Sequence, residues 1–192
     1  MALGITLSGC AFGTREALLQ YPPEGKVSAV PAAQAATSIT PKRTEILLVA
    51  FNDERDNKRL VGTVRNGFGM RTADVIAKNN VQTWVFKAAK KELHDAGYVV
   101  ITKPDASQSL ATLSGQITRV FCDAYFTYEG EVSLHVRLMK NGKEILDKLY
   151  AGKGSAGMNW AGTSDAYAQS LDLALSDALK RMVSDMNASL QH

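Results

Sequence analysis

The stretch EVSLHVRLMKNGKEILDKLYA, residues 131–151, decides the fold class. Val132, Leu134, Val136 and Leu138 alternate with Glu131, Ser133, His135 and Arg137, the two-residue period of a strand with one buried face. Asn141-Gly142 follows, and this pair accepts the positive φ angles of a two-residue hairpin turn. Such a turn places Leu138 opposite Ile145 and Leu134 opposite Leu149, so that both strands present apolar side chains to one core.

Downstream, Gly152, Gly154, Gly157 and Gly162 predict an irregular segment. Thr163 or Ser164 then caps a long helix with the apolar stripe Tyr167, Leu171, Ala174, Leu175, Ala178, Leu179, Met182 and Met186. Asp165 near its start and Lys180 and Arg181 toward its end suit the helix dipole. Upstream, Leu113, Gly115 and Ile117 alternate along a strand whose phase shifts at Arg119-Val120, predicting a bulge before a strand over 121–128. A helix over 80–96 opens at Asn80, carries Val81, Trp84, Val85, Ala88, Leu93 and Ala96 on one side, and ends at Gly97. A short strand over 98–102 comes next. The apolar run EILLVAF, residues 45–51, reads as a central strand, and the polar residues 52–59 lead out to solvent. A second tight turn at Asn66-Gly67 joins strands over 60–64 and 68–76. The sum is an α+β domain, a mostly antiparallel sheet with two helices packed on one face.

Length and composition set the outer bounds. The 192 residues suit one domain with an appendage, and 45% hydrophobic against 21% charged residues supply a core. With 22 Lys and Arg against 19 Asp and Glu the net charge is only +3 and no basic block stands out, so nucleic acid is not the expected partner. No run approaches the 18 or more apolar residues of a membrane-spanning helix.

The N-terminus reads MALGITLSGC, and Leu7-Ser8-Gly9-Cys10 has the small residues before a cysteine that characterise a bacterial lipobox. Cys10 is therefore the expected lipidation site, with residues 1–9 the remnant of a truncated signal peptide. Four of the five prolines, Pro22, Pro23, Pro31 and Pro41, lie among alanines, serines and threonines before residue 42. Residues 10–43 are thus expected to form a lipidated, proline- and alanine-rich tether, extended or loosely docked, and residues 44–192 a single periplasmic domain. With Cys10 acylated, Cys122 is the remaining thiol and is best read as a small buried hydrophobe within a strand.

A lipobox, a proline-rich tether, a first strand, an Asn-Gly hairpin, a helix ending in Leu93-His94-Asp95-Ala96-Gly97-Tyr98, a second Asn-Gly hairpin and a long C-terminal helix resemble, in this order, the YajG-like family of uncharacterised bacterial lipoproteins. The resemblance covers most of residues 10–187. It implies envelope residence and a non-catalytic accessory role, and it carries no known active site. The architecture is also similar to lipoproteins that assist lipopolysaccharide assembly, curli secretion and exopolysaccharide secretion.

Motifs for chemistry fail on spacing. Gly62 and Gly67 have a P-loop interval, but Phe68-Gly69 stand where Lys and Ser or Thr must meet phosphate and magnesium. Ser155 lies in Gly154-Ser155-Ala156-Gly157, where Lys153 takes the place of a nucleophile elbow's first glycine. His94, His135 and His192 form neither an HExxH pair nor a Cys/His cluster, and no zinc site is expected. Asp53, Glu54 and Asp56 miss the calcium-loop pattern at Arg55 and Arg59 and read as a solvated loop. Phe121, Tyr125, Phe126 and Tyr128 fit a core better than a groove. Trp160, among glycines, is the candidate partner-facing anchor.

The expected function is that of a lipid-anchored accessory protein, neither an enzyme nor a cofactor carrier. It faces the periplasm from the outer membrane, which Ala11 after the cysteine suggests by resemblance to enterobacterial sorting, and docks an envelope assembly or secretion complex. The alternative is a carrier that binds a lipid or glycan fragment between sheet and helices.

Overall fold

The computed structural model describes residues 13–21, 44–103, 110–158 and 163–191. Among the described residues nine strands, β1 (Arg15–Ala17), β2 (Glu45–Leu48), β3 (Asn52–Asp53), β4 (Leu60–Arg65), β5 (Arg71–Ala77), β6 (Val99–Ile101), β7 (Ala111–Ala124), β8 (Thr127–Lys140) and β9 (Lys143–Met158), form one sheet. Helix α1 (Val81–Asp95) separates β5 from β6, and α2 (Ser164–Leu190) closes the described chain.

The sheet is mixed, which corrects the mostly antiparallel expectation. β7 is its spine. On one side it pairs antiparallel with β8, and β8 with β9. On the other it pairs parallel with β2 at its start, β3 in its middle and β4 at its end. β1 and β6 add further parallel pairs, to β5 and β2. The crossover through α1 returns the chain to the end from which β2 started, so β6 runs beside β2 in the same direction, and β7 starts from that end as well. Periodicity marks a strand but carries no information about the direction of its partner.

Local expectations divide in the same way. Asn80 caps α1, its side chain accepting from the Thr83 amide at 2.8 Å, and Gly97 takes φ +91° behind it. Asn141 and Gly142 both have positive φ, as the tight turn requires. Asn66-Gly67 does not form such a turn. The Asn66 side chain instead accepts from the amides of Phe68 and Met70, and Gly69 is the residue with positive φ, giving a wider loop.

The β7 bulge falls between Ile117 and Arg119, one residue earlier than the phase shift suggested. β7 then ends at Ala124, so residues 121–128 are the corner of a hairpin and not one strand. A second bulge, between Leu138 and Met139, sets Leu138 opposite Leu146 and Leu134 opposite Tyr150. That one-residue slip turns Leu149 to the outer face, where it is 57% exposed, and turns Tyr150 and Gly152 to the core.

Of the glycines read as irregular, Gly152, Gly154 and Gly157 lie inside β9 and Gly162 lies outside the described residues; the role of Gly152 and Gly154 is close approach. A Cβ on Gly152 would stand 2.0 Å from the Ala174 carbonyl oxygen, one on Gly154 2.3 Å from that of Ser170, and one on Gly130 2.6 Å from the same Ser170 oxygen. α2 therefore lies directly on the backbone of β8 and β9. The Ser170 hydroxyl is shared between the carbonyls of Tyr128 at 3.0 Å and Gly154 at 2.8 Å. Every residue of the expected stripe from Tyr167 to Met186 is buried. Thr163 occupies the N-cap without a side-chain cap bond, and its amide donates to the Tyr128 hydroxyl instead.

Two stretches expected at the surface are built in. Within the expected 10–43 tether, residues 13–21 are docked: β1 pairs with β5, and Ala17 and Leu19 are buried. Asn79 fixes Leu19 through both its amide and its carbonyl. Residues 15–19, REALL, hold no proline, so each carries a backbone N–H donor, and they have apolar side chains enough to join an open sheet edge. In the 52–59 loop, Asp53 and Arg55 are buried and ion-paired at 2.8 Å, and Arg55 also donates to the Leu60 and Lys58 carbonyls. Glu54, Asp56 and Arg59 stay exposed as expected.

Gly152→Ala is expected to destabilise the protein by about 1–3 kcal/mol or more, because the added methyl meets helix backbone and not a side chain that can swing away. Gly67→Ala, with open space around the site, is the matched control and should leave the thermal midpoint nearly unchanged.

Candidate functional site

The sheet of β7, β8 and β9 has two unlike faces. One carries Val132, Leu134, Val136 and Leu138 and lies under α2; the other carries cross-strand rows of polar side chains. Reading across β7, β8 and β9, these rows are Ser114, Arg137, Asp147; Gln116, His135, Leu149; Arg119, Ser133, Ala151; Phe121, Glu131, Lys153; and Asp123, Glu129, Ser155.

The last two rows and Arg119 enclose an open groove of about 510 Å³. Arg119 pairs with Glu131 at 2.5 Å and stacks over the Phe121 ring at 5.4 Å. On the far wall Asp123 is held by Arg65 of β4 at 2.8 Å. At the other end of the face His135 bonds Asp147, which also accepts from Arg137 at 3.1 Å. These partners, His135 first, hold the Asp147 carboxyl below the usual carboxylate range. The groove thus brings the Phe121 ring together with charged side chains of both signs.

The candidate residues from sequence are scattered. Cys10 and Trp160 lie outside the described residues, as does His192. Cys122 is buried in β7, and burial pushes its thiol up to about 12, so it stays protonated and inert. The four aromatics split. Tyr128 is core, stacked edge-on against Tyr167, whereas Phe126 is 68% exposed and Phe121 lines the groove. Ser155 lines the same groove as a strand residue. His94 is exposed on the last turn of α1, beside Asp95. Among the described residues no group of three or more His, Cys, Asp or Glu could hold a metal ion.

One buried acid was missed. Asp172 on α2 is 2% exposed and accepts from the Trp84 indole nitrogen of α1 at 2.8 Å, tying the two helices together. Burial pushes its carboxyl up to about 7, opposed by the bonds from Trp84 and the Gln20 amide. Helical spacing could have shown it, since Asp172 stands three and seven residues before the core positions Leu175 and Leu179. The same spacing sets Ser170 four residues before Ala174.

Residues 31–190 match the model of a family described as an uncharacterised lipoprotein. No curated protein matches the chain. The fold is similar to that of protein XCC0632 from Xanthomonas campestris, at 12% identity and a TM-score of 0.53, covering 77% of this chain and 86% of that one. It is also similar to an uncharacterised protein at 10% identity and a TM-score of 0.56, covering 74% of this chain and 92% of that one. Lipoprotein GNA1162 from Neisseria meningitidis aligns at 17% identity over 77% of this chain and 98% of that one, with a TM-score of 0.38. At identities this low the first two speak to the fold alone.

The raised carboxyl of Asp172 makes a signed forecast. Folded Asp172 keeps its proton to about pH 7, while the unfolded chain loses it near the ordinary value of about 4. Its contribution is therefore fully present below about pH 4 and is lost as pH rises toward 7. In urea melts, wild type should lose stability relative to Asp172→Asn across that window, by up to about 4 kcal/mol at about 1.4 kcal/mol per pKa unit. A difference independent of pH would show that Asp172 titrates normally.

Proposed function

This chain belongs to a family of uncharacterised lipoproteins, and from that premise we propose that it is a lipid-anchored envelope protein, acylated on Cys10, which works by binding a protein partner and not by catalysis. No helix among the described residues is long and apolar enough to cross a membrane, and in this reading the lipid on Cys10 is the means of attachment. Residence in the outer membrane, facing the periplasm, rests on Ala11 following the cysteine.

The observation that carries the binding role is the open face of β7 to β9. Its ion pairs, Arg119 to Glu131 and Asp123 to Arg65, hold these side chains in place, so a partner meets a shaped and pre-ordered surface with Phe121 in its lining. The carrier alternative places its ligand between sheet and helix. At Gly130, Gly152 and Gly154 that space is smaller than a methyl group, which favours docking. Trp160 belongs to the proposed contact surface only as a further anchor.

Mass spectrometry of the mature protein should find Cys10 acylated and N-terminal; an unmodified Cys10 sinks the anchor. A photo-crosslinking residue in place of Phe121, in intact envelopes, should capture one dominant protein, and Lys153→Glu should weaken that capture about tenfold or more by setting like charges together. A crosslinker in place of Leu173, on α2, should not capture it. Equal capture from both positions would reject the groove as the docking face.

A further inference from the structure

Four loops or strand ends meet at one end of the sheet. β4 and β7 run parallel, so the loop 66–70 lies beside the corner at Tyr125 and Phe126, where the Tyr125 hydroxyl donates to the Gly67 carbonyl at 3.1 Å. Met158, the last residue of β9, stands opposite Thr127 at the same end. β1 runs parallel to β5, and Gly13 and Thr14 just before it line a shallow groove with Arg71, Thr72, Ala73 and Asp74, directly after Met70.

This end gathers the apolar surface. The four most exposed large hydrophobic side chains among the described residues are Phe68 at 89%, Phe126 at 68%, Met158 at 64% and Met70 at 60%, and all four are here. The charges around them are balanced locally, Arg65 on Asp123 and Arg71 on Asp74. Along the chain, Cys10 precedes Gly13 by three residues, a reach of about 11 Å at most even when fully extended. An acyl group on Cys10 would therefore enter the bilayer close beside Phe68 and Met70.

We infer that this apolar end, formed by Phe68, Met70, Phe126 and Met158, sits in the interface of a phospholipid bilayer and holds the domain upright on the membrane. The inference rests on the acylation of Cys10 for its geometry. The acyl chains supply the affinity, and the apolar end adds a second contact that fixes orientation, in the way that interfacial apolar side chains reinforce a lipid anchor. β1 is the link between the two. Because it docks residues 15–17 on the sheet, only Ala11 and Phe12, and not the longer segment 22–43, separate the lipid-bearing Cys10 from Gly13.

The test uses the mature, acylated chain in vesicles of phosphatidylethanolamine and phosphatidylglycerol. An environment-sensitive fluorophore is attached in Phe126→Cys, in Phe68→Cys and in the reference Leu149→Cys, an exposed residue of the open face; the unsubstituted chain controls for labelling at buried Cys122. Labels at 126 and 68 should shift to the blue and lose most of their emission to lipids brominated at a depth of about 5–10 Å, while the label at 149 stays in water. Water-like emission from all three positions overturns the proposal. A blue shift at 126 without quenching by bromine, lost on dilution, would mean that a second copy covers this end, and also overturns it. Flotation separates the premises: a chain that does not float with vesicles refutes the acylated anchor, and the same labels are then read on a chain held to nickel-chelating lipid by a hexahistidine in place of residues 1–10.

Discussion

The contact between α2 and the backbone of β8 and β9 governs the rest of the molecule. With hydrogen atoms alone at Gly130, Gly152 and Gly154, the helix comes down until Ser170, Ala174 and Ala178 face strand backbone, and the Ser170 hydroxyl can serve carbonyls of two strands. Small residues on both partners are what make that approach possible, and it excludes any ligand from between them. The contact also shields an edge. β9 pairs with β8 alone, and α2 reaches its outer side, where Asp177 accepts from the Lys153 amide and Asp185 from the Tyr150 hydroxyl.

Covering one face so completely leaves the other to solvent, and the polar rows on it follow from the period-two alternation of β7 and β8. The bulge at Ile145 of β9, opposite Leu138 and Met139, decides which side chains of β9 join them. It shifts Leu149 outward and Tyr150 inward, so a leucine ends up in the polar face and a tyrosine in the core, with its hydroxyl satisfied by Asp185. The open groove and the filled helix interface are thus consequences of one packing arrangement, and together they favour recognition at the surface over storage in the interior.

The N-terminal strand changes what the leading segment does. A freely extended tether would leave the domain's distance and orientation relative to its anchor undefined. With Arg15–Ala17 paired to β5 and Leu19 fixed by Asn79, the chain enters the domain at a defined end. A short run of residues without proline and with two buried apolar side chains was enough to complete an open edge, although the composition around it is that of a linker.

Sequence by itself determined what depends on neighbours along the chain. The cap at Asn80, the positive φ at Asn141 and Gly142, the apolar stripe of α2, and the strands around Leu134 and Leu113 follow from local sterics and hydrogen bonding, and they are where the residues said they would be. The tertiary structure alone decided what depends on residues far apart. The parallel pairings of β6 and β7 with β2 join residues far apart in the chain, on either side of the crossover through α1. The extended course of residues 152–158 came from the seating of α2, since a glycine that reads as a break in isolation reads as a contact once a helix lies on it. Asp53, Arg55 and Asp172 look like surface residues one at a time, and they are buried because each finds a polar partner inside, Arg55 for Asp53 and Trp84 for Asp172. Of the candidate site, Phe121 and Ser155 were visible as residues, but their meeting with Arg119 and Glu131 in one groove depends on strand register, which bulges set and alternation alone does not.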